Sequence, residues 1–458
     1  MNVSARPAPD ALPGRAAFAV EALKLSNRLS RALGRGRGTV AGGRVGLAID
    51  PMLLATLARG RRVALVSGTN GKTTTTRMLA AAMAGERDVP VATNDTGANM
   101  PAGHVAALAG SRPGADAVLE VDEGYLGRVM AETSPRVVVL LNLSRDQLDR
   151  ISEVRMLVDR WRAAMAGLPP VTGPDGDGTV VVANADDPMV VWAATTAPDV
   201  RWVGAGQVWR NDAVGCPACG GGIDFDEQGG WACDRCEFAR PSPVAWLDGT
   251  DLVTTDGARC PVDIRLPGRF NRANAAMVAV AAPVMAAGDG SPGVPGPPLT
   301  ASVALARLSG VDEVEGRFAR TVRNGHPVRL LLAKNPAGWT AIFDLLEEDG
   351  RGDDPVVLSI NARIADGFDT SWLWDVPFER LAGRPVVATG DRRLDLAVRL
   401  RYAEVPCTVV PDPLAALDRA MAMSTSGVVD RPGTEPAGSA PIDFLGNYTA
   451  FAELRSRL

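Results

Sequence analysis

The chain has 458 residues, 46% of them hydrophobic, and a formal net charge of −5. That length allows two or three domains with a sizeable core, and the acidic balance argues against a nucleic-acid binder, which usually shows a basic one. No apolar run approaches the roughly 18 residues of a membrane span, and the opening MNVSARPAPDALPGR lacks a signal peptide's apolar core, so a cytoplasmic protein is expected.

In chain order, residues 1–15 read as disordered, and Ala16 to Leu33 as an amphipathic helix that leads into the glycine-rich GRGRGTVAGG. Val63 to Val66 is then a short β-prone apolar run, and Met78, Leu79 and Met83 fall at helical spacing. Ser67 to Lys72 is therefore a strand-to-helix turn, and such a turn is an anion site. Gly68 and Gly71 let the backbone approach phosphate oxygens, the helix N-terminus offers unpaired N–H groups, Lys72 adds charge, and Thr73 offers a hydroxyl to Mg²⁺. The generic Walker pattern fails by one residue, because Val66 stands where its first glycine belongs. Lys72 is one of only three lysines, with Lys24 and Lys334.

From Val63 to about Ala287, the runs VALVSG, DAVLEVD, RVVVLLNLS, GTVVVANAD and VRWVG alternate with helical segments. That order predicts a doubly wound, mainly parallel sheet with phosphate at the first strand's carboxyl end. Between Gly206 and Val262 the pattern breaks. Cys216-Pro-Ala-Cys219 and Cys233-Asp-Arg-Cys236 supply two C-x-x-C knuckles, and four thiolates in that arrangement suit a tetrahedral, structural Zn²⁺. Cys260 and Cys407 stand alone and read as buried small side chains. GDGSPGVPGPP, Gly288 to Pro298, is a linker. Beyond it, VRLLLAKNP, DPVVLSINA, RPVVATG and CTVVPDP supply strands. Helices near Trp339–Glu348, Leu394–Tyr402 and Leu414–Met423 complete a second α/β unit.

The segment GTNGKTT resembles the nucleotide loop of the Mur ligase superfamily, ATP-dependent amide-forming enzymes that include folylpolyglutamate synthetases. The resemblance implies ATP held by Gly68, Thr69, Asn70, Gly71, Lys72, Thr73 and Thr74, with Lys72 and Glu120 catalytic. It also implies Mg²⁺ on Thr73 and on Glu120 of LEVDEG, with Asp122 and Glu123 as alternatives. LNLSRDQLDR is similar to the family's N-x-x-x-D-H-L-D segment, with Gln147 at the usual histidine. NADDP (Asn184–Pro188) and LPGRFNRANAA (Leu266–Ala276) resemble the segments that close over adenine, with Asn271 and Asn274 as base contacts. GVDEVEGRFAR carries Arg317 at the turn from which the family reaches the phosphates.

Two departures narrow the resemblance. Only about sixty residues precede the nucleotide loop, so the superfamily's UDP-binding N-terminal domain is not expected, and the helix before NADDP, EVRMLVDRWRAAMAG, has arginines where a carbamoylated lysine is usual. A guanidinium stays protonated and cannot form that carbamate. In addition, Leu331 and Lys334 depart from the family's D-x-x-H-N-P. A Mur-type centre with a Cys₄ ribbon, followed by AKNPAGW, ADGFDTSWLWDVPFERL and GNYTAF, looks like the MurT family. That family implies an ATP-dependent carbon–nitrogen ligase that amidates the D-glutamate α-carboxylate of lipid II at the inner face of the cytoplasmic membrane. It takes ammonia from a GatD-type glutamine amidotransferase subunit, to whose catalytic triad it lends an aspartate, here Asp366 or Asp369. Trp372 and Trp374 flank that position, or else pack as cross-strand core.

Three regions are expected: 1–45 as helix and glycine-rich segment, 46–310 as central ATP-binding domain with the zinc ribbon at about 207–262, and 311–458 as the C-terminal domain. The competing readings are a self-sufficient amino-acid ligase, active without glutamine or partner, and a non-catalytic ATP-dependent assembly factor.

Overall fold

The computed structural model describes residues 12–32, 39–86, 89–94, 97–145, 151–172, 178–206, 209–287, 299–311, 318–350, 354–425 and 441–458. Arg317, Gln147, the first eleven residues and the Gly288–Pro298 linker lie outside them. The chain divides into two compact units. One comprises Met1–Ser144, Ser152–Arg265 and Phe270–Asp312; the other Arg145–Ile151, Leu266–Arg269 and Glu313–Leu458.

Strands β1 (Val63–Ser67), β2 (Ala92–Thr93), β3 (Ala117–Glu120), β4 (Val137–Leu140), β5 (Val180–Asn184) and β6 (Val200–Gly204) form the parallel body of the first unit's sheet. β1, β3, β4 and β5 are buried along their whole length, as the near-continuous Val and Leu runs of a sheet covered on both faces require. A separate hairpin, β7 (Ile223–Phe225) and β8 (Trp231–Cys233), carries the cysteine knuckles. The chain then returns to the main sheet as β9 (Ala245–Asp248), β10 (Asp251–Thr254) and β11 (Arg259–Pro261), giving the order β11-β10-β9-β6-β5-β4-β1-β3-β2. Residues 245–261 thus extend the main sheet rather than the ribbon. Three short antiparallel strands joined by tight turns give no periodicity that separates them from the insertion in sequence.

The glycine-rich stretch also folds differently from its composition. Thr39–Ile49 is a helix, packed between helices Gly14–Ala32 and Pro101–Gly110. Its glycines serve close approach: a Cβ on Gly43 would lie 1.8 Å from the Ala102 carbonyl oxygen. Contact at that distance outweighs glycine's low helix propensity.

The second unit is a six-stranded sheet, β12 (Phe318–Arg323), β13 (His326–Leu332), β14 (Val356–Ser359), β15 (Val386–Thr389), β16 (Cys407–Val409) and β17 (Ile442–Gly446), in the order β12-β13-β17-β14-β15-β16. Only the β12–β13 pair is antiparallel. Helices Pro336–Glu348, Arg393–Tyr402, Pro413–Thr425 and Tyr448–Arg457 complete it.

Candidate active site and metal centre

In the first sheet the strand order reverses at β1, whose neighbours β3 and β4 are reached by connections running in opposite directions. The register pairs Val66 with Glu120 and Ser67 with Leu140, so the carboxyl ends of all three strands lie side by side, where an open α/β sheet binds its ligand. The turn after β1 enters helix Lys72–Met83 through Gly71 at φ 87°, and a Cβ there would lie 2.7 Å from Asn274 Oδ1. Left-handed backbone and a crowded neighbour both require glycine at this position.

Lys72 is buried and bends back over the turn. Its Nζ lies 2.5 Å from the Gly68 carbonyl oxygen, 3.2 Å from that of Thr69 and 3.2 Å from Glu123 Oε1. Thr73 Oγ1 donates to Glu120 Oε2 at 2.7 Å. In octahedral coordination at Mg–O distances of 2.0–2.1 Å, adjacent ligand oxygens stand about 2.9 Å apart, so this hydroxyl and carboxylate already span one edge of a Mg²⁺ shell. Glu120 is buried, and its side-chain partners Thr73 and Asn99 (Nδ2 to Oε1, 3.3 Å) are neutral. Glu123 faces the lysine and Asp122 caps Gly124 N at 3.0 Å, which sets both apart from Glu120.

Glu120 is braced by residues that the sequence reading passed over. Asn94 pairs with both of its main-chain groups at 2.8 Å, and His104 Nε2 meets its carbonyl oxygen at 2.8 Å. Burial pushes the His104 imidazole down to about 4, so the ring is neutral near pH 7 and donates from Nε2. The signal available in sequence was an asparagine-rich turn, TNDTGANM, following a strand and preceding a Pro-started helix.

The turn is fastened to the segment after β4. Asn142 accepts from Asn70 N at 2.9 Å and donates to the Asn70 carbonyl at 3.0 Å, and Thr69 Oγ1 accepts from Ser144 N at 3.0 Å. In NADDP, Asn184 Nδ2 donates to the Leu141 carbonyl at 2.9 Å. Asp187 caps helix Pro188–Ala194 and accepts from Leu143 N at 2.8 Å. Asp186 takes Arg240 at 2.8 Å. These side chains therefore hold backbone in place. Asn271 and Asn274 are buried on helix Arg269–Ala286, with Asn274 beside Gly71 at the end of the nucleotide turn. Helix Ile151–Ala166 holds no lysine; its Arg162 donates to the Trp192 carbonyl at 2.5 Å and stacks on the Trp192 ring.

The four knuckle cysteines converge, with every pair of Sγ atoms within 4.8 Å. Cys216 and Cys236 sulfurs are 3.7 Å apart and those of Cys219 and Cys233 3.5 Å. Zn–S bonds of 2.3 Å at tetrahedral angles place sulfurs ~3.8 Å apart, so the donor set fits Zn²⁺. Gly221 N donates to Cys219 Sγ at 3.4 Å and Arg235 N to Cys233 Sγ at 3.3 Å, as thiolates in such turns require. The hairpin is seated on the sheet by Trp231, whose Nε1 donates to the Ala185 carbonyl at 3.0 Å.

In the second unit both candidate aspartates lie on the loop after β14. Asp366 is half-buried; one oxygen accepts from Thr449 N at 2.9 Å and the other from the Thr449 hydroxyl. Asp369 is exposed, and its Oδ1 accepts from Ser371 N at 2.8 Å and Ser371 Oγ at 2.6 Å. It borders a hollow of about 280 Å³ lined also by Phe368, Trp374, Arg392, Asp395 and Arg399. The two tryptophans are not strand neighbours. Ser371–Asp375 is a 3₁₀ turn that sends Trp372 into the core against Trp339 and leaves Trp374 55% exposed beside Tyr402. Leu331 is buried in β13, and Asn335 caps the following helix through Gly338 N at 2.9 Å.

Comparison with known proteins joins the two units. The Mur ligase middle domain matches residues 66–218 and the MurT ligase C-terminal domain residues 332–451. The second unit matches the MurT ligase C-terminal domain, and the chain as a whole is similar to MurT subunits. It is 27% identical to the lipid II isoglutaminyl synthase (glutamine-hydrolyzing) subunit MurT of Staphylococcus aureus strain COL, over 96% of this chain and 97% of that one. With the Streptococcus pneumoniae R6 subunit of the same name it shares 28% identity over 82% and 85% of the two chains. Its fold is that of the Mur ligases: a pseudomurein peptide ligase type C from Methanothermus fervidus superposes with a TM-score of 0.59 at 19% identity, covering 86% of this chain and 78% of that one.

Proposed function

We propose that this chain is the ATP-consuming subunit of a two-component enzyme that amidates the D-glutamate α-carboxylate of lipid II at the inner face of the cytoplasmic membrane, with ammonia from a GatD-type glutaminase partner. The observation that carries the reading is the Lys72–Thr73–Glu120 cluster at the switch point of a Mur-type sheet, in a chain whose second unit matches the MurT ligase C-terminal domain. Full-length relatives bearing the name of a glutamine-hydrolyzing synthase subunit support it.

The backbone of residues 68–74 cradles the ATP phosphates, and Lys72 turns from Glu123 to the β/γ oxygens. Thr73 and Glu120 hold Mg²⁺, which offsets charge on the phosphoryl group when bound. Asn271, Asn274 and Arg317 serve the nucleotide. The substrate carboxylate attacks the γ-phosphorus and ADP leaves, which converts a poor electrophile into an acyl phosphate. Ammonia then adds at the carbonyl carbon, inorganic phosphate is expelled, and the nitrogen gives up a proton to leave the amide. Cys216, Cys219, Cys233 and Cys236 hold a structural Zn²⁺ with no open position for chemistry.

Partner contact falls to the second unit. Asp366 has both oxygens engaged by Thr449, whereas Asp369 stands exposed beside Phe368 and Trp374, which are 70% and 55% exposed. An acid that completes a triad on another chain has to reach it, and this favours Asp369. The test is to purify the chain with a GatD-type glutaminase and assay glutamine-dependent amidation of lipid II with ADP release. Stoichiometric ADP and amide are expected only with both subunits. Amino-acid ligation by the chain alone would overturn the reading in favour of a self-sufficient ligase, and nucleotide binding without turnover in favour of an assembly factor.

A further inference from the structure

Helix Gly14–Ala32 is apolar on two faces. One stripe, Ala16, Ala19, Val20 and Leu23, is buried in the core of the first unit. On the outer side Phe18, Leu25 and Leu29 are 66%, 57% and 55% exposed. At 3.6 residues per turn these three lie within about 40° of one another and extend roughly 16 Å along the axis, so they form one continuous stripe. Arg15, whose Nε donates to the Ile49 carbonyl, and Arg28 are exposed on its two sides, and Glu21 beside Arg28 is paired with Lys24 at 2.8 Å.

The charge of this region is opposite to that of the whole. The first 50 residues hold eight Lys and Arg against three Asp and Glu, in a chain of net charge −5. Among the described residues no helix is long and apolar enough to cross a membrane. An apolar stripe with basic flanks on a helix is the form that lies in the plane of an anionic bilayer surface, its large side chains at the headgroup boundary and its cations on lipid phosphates.

We propose that the outer face of helix Gly14–Ala32 docks the enzyme on anionic lipid, with Phe18, Leu25 and Leu29 entering the interface and Arg15 and Arg28 meeting phosphate groups. The choice of occupant rests on the lipid-linked substrate proposed above and on the charge reversal. Docking keeps the catalytic unit at the surface where such a substrate resides.

The experiment is co-sedimentation of the full-length chain with vesicles of equal phosphatidylglycerol and phosphatidylcholine, and with phosphatidylcholine alone. Binding to the anionic vesicles at least tenfold over the neutral ones is expected, weakening with salt. Arg28→Gln should weaken it about fivefold, the equivalent of ~1 kcal/mol for one basic residue at such a surface. The triple variant Phe18→Ser, Leu25→Ser, Leu29→Ser should abolish binding while ADP release on detergent-solubilised lipid II stays unchanged. No preference for anionic vesicles, equal binding by the triple variant, or a change in oligomeric state on mutation without vesicles would each overturn the docking surface. The assay needs neither ATP nor lipid II. Vesicle binding with no amidation would therefore sink the functional reading and leave the surface standing, and amidation in detergent without vesicle binding would do the reverse.

Discussion

Glu120→Gln separates the metal role of this carboxylate from its place in the fold. Glu120 is buried, and among the described residues its oxygens meet only a hydroxyl and an amide, Thr73 at 2.7 Å and Asn99 at 3.3 Å. A glutamine satisfies both: its oxygen accepts from Asn99, and its amide donates to Thr73, because a hydroxyl accepts as readily as it donates. The charge that is lost was desolvated without a cationic partner, so the change should cost no more than ~1 kcal/mol of stability and can raise it. Catalysis should respond differently. The oxygen that would hold Mg²⁺ loses its charge, and removing one electrostatic stabiliser of a reacting centre costs roughly 10²–10³ in rate, about 3–4 kcal/mol. ADP release in the complex, measured across Mg²⁺ concentrations beside thermal melting of the chain alone, reads both effects. A variant melting with the wild type but releasing ADP within tenfold of it, at unchanged Mg²⁺ requirement, would refute the assignment.

Other expectations follow from the same geometry. Cys233→Ser should release the one zinc expected per chain and lower the melting temperature, seen by metal analysis and calorimetry, since a structural zinc contributes folding energy directly; a fully active, metal-free wild type would contradict this. Asp369→Asn should cut glutaminase activity of the complex by about 10⁴ while synthesis from free ammonia survives. Asp366→Asn should instead cost ~1–2 kcal/mol of stability through its lost pairing with Thr449; glutaminase loss confined to Asp366→Asn would reverse the assignment. Gly43→Ala, whose Cβ would lie 1.8 Å from a backbone oxygen, should destabilise the chain by ~1–3 kcal/mol or more in denaturant unfolding, with no direct effect on the active site.

The features written in short-range pattern were legible in the sequence. β1 and its turn are a Val/Leu run followed by Gly, Lys and Thr, and the knuckles are two C-x-x-C units; each needs only local chemistry to be read. What was missed depends on distance along the chain. Asn94 and His104 meet Glu120 from 26 and 16 residues away, and nothing in their own surroundings marks that contact. β12 and β17 lie at the start and end of the second unit, and β17 is inserted between β13 and β14, a placement that strand propensity cannot express. Propensity penalises the glycines of Thr39–Ile49 in a helix, whereas close approach, at Gly43 to Ala102, decides their conformation. Thr449, 83 residues on, engages Asp366, a contact that nothing near the aspartate in sequence marks.

The placement of the ribbon gives the Cys₄ cluster, whose donor set fits a structural metal, a task in the fold. Trp231 of the hairpin donates to the Ala185 carbonyl, and Arg240 just beyond it pairs with Asp186, so the folded hairpin holds the segment after β5 from one side. The next residue, Asp187, accepts from Leu143 N. Leu143 is followed by Ser144, whose main chain exchanges two hydrogen bonds of 3.0 Å with the Thr69 hydroxyl inside the nucleotide turn. Each link is buried or partly buried, where hydrogen bonds are worth most and their geometry is best defended. The Cys₄ cluster thus sits at one end of a continuous series of contacts whose other end is the phosphate cradle. The hairpin's own apolar group of Cys216, Ile223 and Trp231 against Val191 is small. With Zn²⁺ bound, four metal–thiolate bonds would supply rigidity that so few apolar contacts cannot, next to the segment from which Asp187 steadies the turn that carries Lys72.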